Sequence, residues 1–490
     1  MSSIKWLILV GVVALAVILA FAVENISRTS EKNSNSLPLN NDENQNSTPY
    51  LKEYSLPTGT WPNGILVDKN GIVWIAGSKI DSLFRFDPKQ EKIEPYVITE
   101  DATQSNMTEG SLMVWTMVQD DNGFIWFSQL GTKSIWKFDP NTDDFTAFHS
   151  ISVAPFQMKA DKNGNIWFTT LTSNTVGVIQ KIQNKTESYK IAEFNIGNDT
   201  QPTGLFLENN DLWITEIATQ KIVKYQVMYD DGTVTNIEKI LEIPTDEKIS
   251  LGSPTDLFVQ NDTIWLTEHG TSFLTKYSLD SKNLTRFPTS QNVYHVTTLP
   301  FWIREVNGGK GIWFNEHEGN KIAFFDTVNK TLTEYEIPSR PADGYLVYPL
   351  NIAADPYDGN KLWFSEWNTD KFGMVDNTIS LPFDIHSEVN KIVLNNDSSK
   401  QQTLNIEIFK NGLVKNNLVF LNASSSILSN AGLGNLNVKF SDNSIDITKI
   451  HTVHLLLQNN SVPSGNYTLG ISASDGMVTK TIFLDLEILR

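Results

Sequence analysis

The chain has 490 residues, 40% of them hydrophobic, a formal net charge of −18 and no cysteine. The missing cysteines exclude thiol nucleophiles, Cys-ligated zinc and disulfide staples, and an acidic chain without a basic cluster carries no nucleic-acid footprint. That length leaves room for several domains.

In chain order, a short N-terminal segment (residues 1–4) precedes an apolar stretch over residues 5–23. Trp6 through Val23 form 18 consecutive uncharged residues, the lower edge of a bilayer span and longer than most signal-peptide cores. The stretch is expected to be a transmembrane anchor, or a signal sequence if it is clipped. Residues 24–49 are rich in Asn, Ser and Thr and poor in aromatics, which reads as a flexible linker. Asn-x-Ser/Thr triplets recur along the chain, at Asn198, Asn261, Asn283, Asn329, Asn422, Asn459 and Asn466 among others. They favour a single-pass protein of the cell membrane with its body extracellular, or a secreted one after cleavage.

From residue 50 to 380 one phrase returns seven times: a turn, an apolar residue, Trp, an apolar residue and a small polar one. The tryptophans are Trp74, Trp126, Trp167, Trp213, Trp265, Trp313 and Trp363. Their spacing, about 40 to 50 residues, is that of four-stranded propeller blades. Each unit opens with an apolar run such as Gly204-Leu205-Phe206-Leu207, turns at a segment such as Asp161-Lys162-Asn163-Gly164, and resumes with the Trp strand. A third run ends near Asp, as in Ile322-Ala323-Phe324-Phe325-Asp326, and a polar fourth run closes the unit, as in Leu332 to Pro338. The tryptophans are expected between adjacent blades. Leu51 to Pro57 resembles a fourth strand but precedes the first blade, so it is expected to close the ring by pairing with Lys371-Phe372-Gly373-Met374-Val375.

After about Leu381 the tryptophans stop and short alternating strands follow, among them Leu404-Asn405-Ile406-Glu407-Ile408 and Val453-His454-Leu455-Leu456-Leu457. Residues 381–490 therefore read as an immunoglobulin-like β-sandwich. The fold class is all-β: a seven-bladed β-propeller followed by an immunoglobulin-like β-sandwich, with an N-terminal transmembrane helix.

Aligning the Trp strands shows what each blade offers next: Ala76-Gly77, Ser128-Gln129, Thr169-Thr170, Thr215-Glu216, Thr267-Glu268, Asn315-Glu316 and Ser365-Glu366. Four consecutive blades carry Glu in one register, which predicts an arc of carboxylates beside the axial opening. Clustered carboxylates call for protonation or a cation, and an oxygen-only set suits Mg²⁺ or Ca²⁺. The bland reading of each is a hairpin cap in solvent. His269 and His317 follow two of these glutamates, and His295 leads into the sixth blade. A neutral imidazole beside a metal-bound carbonyl is a candidate general base, although strand neighbours point to opposite faces.

The phrase Leu362-Trp363-Phe364-Ser365-Glu366 followed by Asp370-Lys371-Phe372-Gly373 resembles the virginiamycin B lyase (streptogramin B lyase) family, as do Ile312-Trp313-Phe314-Asn315-Glu316 with Asn320-Lys321-Ile322 and the strand Glu334-Tyr335-Glu336-Ile337-Pro338. The resemblance implies a seven-bladed propeller and a Mg²⁺-assisted elimination that opens a cyclic depsipeptide lactone, with a His removing the α-proton. It carries a blade-7 glutamate over to Glu366. The family's Pro-His-Ala-Ile reads Pro349-Leu350-Asn351-Ile352 here, and the matching positions elsewhere are Asn63, Trp115, Phe156, Thr203, Thr255 and Phe301. The leading expectation is a membrane-anchored divalent-metal-dependent lyase acting on a cyclic ester or related small substrate at the central channel. In it Glu268, Glu316 and Glu366 surround the metal, and His317 or His295, with Glu366, does the chemistry. The alternatives are a non-catalytic extracellular ligand- or glycan-binding propeller and a metal-dependent lactonase of the gluconolactonase type. Expected partners are a small-molecule or cell-surface ligand and the membrane, with no nucleic acid, for a monomeric chain.

Overall fold

A computed structural model describes residues 48–489 except 99–112, 150, 183–187, 247–248, 291–296, 342–345, 396–399, 412–417, 428–434 and 448–450. The expected membrane segment at 5–23 and the linker at 24–49, up to residue 47, lie outside the described residues. Among the described residues no helix is long and apolar enough to cross a membrane.

Each Trp repeat folds into four antiparallel strands, a sheet of its own in six blades and part of a nine-stranded sheet in blade 6. The innermost strands are Pro62–Val67, Met117–Gln119, Met158–Ala160, Pro202–Glu208, Pro254–Gln260, Pro300–Val306 and Pro349–Ala354. Each touches the next, and the seventh returns to the first, so the sheets form a closed ring of seven blades. Closure uses the strand expected from the sequence, and the register is Leu51 to Val375, Glu53 to Gly373 and Ser55 to Lys371. The chain's first described strand thus covers the outer edge of blade 7.

The turns and tryptophans explain why the repeats stack. In blades 1 to 3 an Asp opens the hairpin, and Gly71, Gly123 and Gly164 take positive φ of 77°, 90° and 78°, where a side chain would be strained. The same Asp then holds the Trp indole: Trp74 Nε1 donates to Asp68 at 3.0 Å, Trp126 to Asp120 at 2.9 Å and Trp167 to Asp161 at 3.2 Å. Thus anchored, the indoles fill the gaps between blades. Trp74 lies 5.5 Å from Phe138 of blade 2, Trp265 5.5 Å from Phe325 of blade 6, and Trp363 5.6 Å from Phe86 of blade 1. Each buried indole contributes at most on the order of 5 kcal/mol of transfer free energy.

Beyond blade 7 the chain forms two further sheets over one apolar core. One has the order Phe383–Ser387, Gln401–Lys410, His451–Asn459, Leu436–Phe440. In the other, Val478–Ile488 pairs with Gly465–Ser474, which pairs with Leu418–Ser425. The free edge of Val478–Ile488 is divided. Its first half pairs antiparallel with the outer strand of blade 6, Tyr335 to Val478 and Thr331 to Ile482, and its second half pairs parallel with Lys391–Leu394. The outer edge of blade 6 is therefore continued into the C-terminal region by backbone hydrogen bonds, a join the sequence pattern does not announce.

Candidate functional site

The innermost strands bring seven equivalent residues to the axis: Asn63, Trp115, Phe156, Thr203, Thr255, Phe301 and Leu350, all buried. Trp115 of blade 2, Phe156 of blade 3 and Phe301 of blade 6 meet there, with ring centroids 4.9 Å (Trp115–Phe156), 6.2 Å (Trp115–Phe301) and 6.2 Å (Phe156–Phe301) apart. Blades 2 and 6 are not neighbours, so their contact spans the axis. Below the rings, side chains brace the channel past glycines. Gly204 leaves blade 4 without a side chain, and Gln157 of blade 3 reaches beyond it to donate to Asp256 of blade 5 at 2.8 Å. Gly64 does the same in blade 1, where the Asn351 amide of blade 7 passes to the Trp115 carbonyl of blade 2.

The four register-matched glutamates are all buried, which removes the reading of solvent-exposed hairpin caps. Nor does the structure gather them on an axial arc. Each is held by partners on its own blade and the linker entering it. Glu268 receives a bidentate Arg286 guanidinium, Nε at 2.7 Å and Nη2 at 3.0 Å, together with the Gly252 amide at 2.5 Å and the Thr275 hydroxyl. Glu316 instead lies beside another carboxylate, Glu334, and Lys321 stands 3.4 Å from Glu334. Burial first, and then the Glu334 charge, raise the Glu316 carboxyl well above its ordinary range. Ser290 from the entering linker donates to Glu334 through its amide at 3.0 Å and its hydroxyl at 2.8 Å.

Blade 7 repeats the arrangement. Glu366 lies beside Glu53 of the closing strand and is raised in the same way, by burial and then by the Glu53 charge. Lys371 stands 3.4 Å from Glu53, and Ser339 donates to Glu53 at 3.1 Å and 2.8 Å. A protonated Glu316 or Glu366 leaves each trio with one carboxylate and one lysine, which balance, as a buried cluster requires. Glu216 of blade 4 is raised chiefly by burial and accepts from Thr219 at 2.6 Å.

The metal expected at Glu268, Glu316 and Glu366 does not fit this donor set. One carboxylate is occupied by arginine, the other two are paired with carboxyls of their own blades, and no group of three or more His, Asp or Glu able to hold a metal occurs among the described residues. His317 is buried, its ring 5.6 Å from that of His269 and 5.3 Å from Tyr348. His269 is buried against Phe301 at 4.8 Å, and desolvation, only partly offset by the backbone carbonyls of Pro300 and Leu299, pushes its imidazole down to about 4. His295 lies outside the described residues. Sequence reasoning missed Glu53, Arg286 and Glu334, the fourth-strand partners that decide what each glutamate does.

The closed ring of seven sheets is a seven-bladed β-propeller. By sequence the chain belongs to the Virginiamycin B lyase family, whose profile matches residues 115–398. The chain is similar to the structure of a catalytically inactive virginiamycin B lyase from Staphylococcus aureus with quinupristin, at 24% identity over 66% of this chain and 98% of that one, TM-score 0.51. It is also similar to a streptogramin B lyase structure, at 21% identity over 67% and 97%, TM-score 0.51. At these identities the likeness speaks for the fold. A search of curated proteins finds no match.

Proposed function

We propose that this chain uses the lyase-family propeller as a non-catalytic binding and display module rather than as a lyase or lactonase. The observation that carries the reading is the axis: where the family's histidine would stand is a buried Leu350, and the same register in blades 2, 3 and 6 holds the packed rings of Trp115, Phe156 and Phe301. Elimination needs a base, and metal-assisted lactone hydrolysis needs an activated water held by free carboxylates. The glutamates that would serve are engaged in neutral buried clusters, and the His269 imidazole is too weak a base at neutral pH.

Two features support a rigid module on the cell exterior. The C-terminal region has two sheets over one apolar core, as an immunoglobulin-like sandwich would, and one of them continues blade 6's edge, so the two parts are joined by backbone hydrogen bonds. Asn198, Asn261, Asn283, Asn329, Asn422 and Asn466 of the glycosylation triplets are exposed. Asn459 is buried, its Oδ1 accepting from Val462 N at 2.7 Å, and serves the fold.

The test is ring opening of quinupristin followed by mass spectrometry, with Mg²⁺ and after chelation, for the wild-type chain and for Leu350→His. The expected result is intact substrate in every arm, because restoring the imidazole frees none of the carboxylates. Ring-opened product from the wild type that disappears on chelation would return the chain to the lyases.

A further inference from the structure

Farther along the innermost strands, the residue paired with each Trp is apolar in five blades: Leu66, Val118, Phe206, Phe258 and Ala353. The other two blades carry Lys159, opposite Trp167, and Arg304, opposite Trp313. These belong to blades 3 and 6, which are not adjacent, and Asp256 of blade 5 joins them: it bonds Arg304 at 3.0 Å and accepts at 2.8 Å from Gln157, two residues before Lys159 on the same strand.

The charges there do not balance. Asp256 is saturated: Oδ1 accepts from Gln157 at 2.8 Å and from Leu257 N at 2.9 Å, and Oδ2 from Ile303 N at 3.1 Å and from Arg304 Nη1 at 3.0 Å. Its single charge offsets Arg304 and leaves the Lys159 ammonium without an acceptor among the described residues. Arg304 uses Nη1 for Asp256 and the Ile303 carbonyl, and its Nε and Nη2 make no further bond to described residues. Both side chains keep partial exposure, so solvent reaches them. Burial, and then the Arg304 charge, bring Lys159 down to about 8, with Asp256 opposing. A half-buried pair of cations with unused N–H donors is an arrangement that an anion relieves.

We propose that Lys159 and Arg304 form a binding site for a small oxyanion near the propeller axis, with Asp256 fixing the guanidinium through Nη1 and leaving Nε and Nη2 for the ligand. The ligand class is a carboxylate or an inorganic oxyanion of phosphate size. Two cations from opposite blades would grip it, and its charge would complete the balance that Asp256 leaves unfinished. The site is remote from the glutamate row, and it stands whether or not the lyase reading holds.

Lys159 reports its own occupancy. Acylation by a soluble amine-reactive reagent, resolved by peptide mass spectrometry across pH 6.5 to 9.5, should show Lys159 reacting with a midpoint near 8. Phosphate or acetate at tens of millimolar, with ionic strength held by chloride, should slow that labelling by about tenfold, as a raised lysine pKa of about one unit requires. Protection by phosphate alone assigns a tetrahedral oxyanion, and protection by both assigns a carboxylate-sized site. Arg304→Met should abolish protection while leaving Lys159 reactive, and circular dichroism will show whether the variant is folded. If it is not, calorimetric titration of phosphate into Lys159→Met, compared with wild type, replaces it and should show binding lost. Labelling unaffected by either oxyanion, protection equalled by chloride, or phosphate binding undiminished in Lys159→Met would overturn the site.

Discussion

Blade 5 and blades 6 and 7 bury the same glutamate in the same register and neutralise it by different chemistry. In blade 5 the fourth strand supplies Arg286 opposite Thr275, and the third strand begins with Phe273. In blade 6 the equivalent fourth-strand position is Glu334, opposite Ala323, and the third strand begins with Lys321; in blade 7 they are Glu53, opposite Gly373, and Lys371. One solution sets a fixed cation against a carboxylate, while the other sets a lysine against two carboxyls that hold one proton between them. The lesson is that a repeated acidic residue in a propeller need not signal a ligand, because neutrality can be reached inside each blade.

The largest effect should come from breaking the fixed pair. Arg286→Met leaves Glu268, with a fully buried side chain, facing no cation, and removing one partner of a buried pair costs about 3–5 kcal/mol. Urea unfolding should show the midpoint falling accordingly. A loss below about 1 kcal/mol would mean that the pair behaves as a surface contact.

Converting one solution into the other is the sharper experiment. Arg286→Glu alone places a second carboxyl beside Glu268, and should destabilise at least as much as Arg286→Met. Adding Phe273→Lys supplies the cation that blades 6 and 7 have at that position, and the double variant should recover on the order of 2 kcal/mol through coupling of the neighbouring sites. Additive losses in the double-mutant cycle would show that the blades do not share one electrostatic design.

These partners explain how far the sequence could be read. The seven Trp strands, the closing strand at Leu51 and its pairing with Lys371 to Val375 follow from repeat spacing and strand alternation, because both depend on local pattern. The fate of the glutamates does not, for a geometric reason. Aligning the fourth strands on their apolar-Pro endings sets Arg286 against Glu336, whereas the pairing sets it against Glu334, two residues away. The partner of Glu366 is farther still, since Glu53 arrives from the opposite end of the propeller's chain. The aromatic axis was partly legible, for Trp115, Phe156, Phe301 and Leu350 were already visible in the histidine's register. That their rings meet across the channel depends on closure of the ring, which no single repeat encodes.

The proton-sharing design also predicts a pH trend. Glu316 and Glu366 hold their protons in the folded state to higher pH than the unfolded chain does. For such a group the stabilisation is complete below the unfolded value and is lost as pH rises toward the folded one, with a slope of at most about 1.4 kcal/mol per pH unit for each proton. His269, held near 4, has the opposite sign below its ordinary value of 6.5: its contribution is present above that value and is lost as pH falls. The comparison is therefore made between the ordinary carboxylate range and the onset of Lys159 titration near 8, against Glu366→Gln, in which the His269 contribution cancels. Relative to that variant the wild-type urea midpoint should fall with rising pH, and a difference that does not change with pH would contradict the raised carboxyl.

The smallest effect should come from Glu366→Gln, and its smallness is informative. The amide keeps the shape and an N–H donor where the shared proton stood, so Glu53 retains a hydrogen bond, and Lys371 and Ser339 still hold it. At a pH below the raised folded value of Glu366 the loss should stay below about 1 kcal/mol, because a neutral group then replaces a protonated one. The same variant should remove this site's share of the pH slope, so wild type and Glu366→Gln should draw together in stability as pH rises. Glu268→Gln in blade 5 has no proton to mimic and strands the Arg286 guanidinium, which should cost about 3–5 kcal/mol. Equal losses for the two glutamines would mean that Glu366 is buried as a charged carboxylate, and the distinction between the blades would fall with that result.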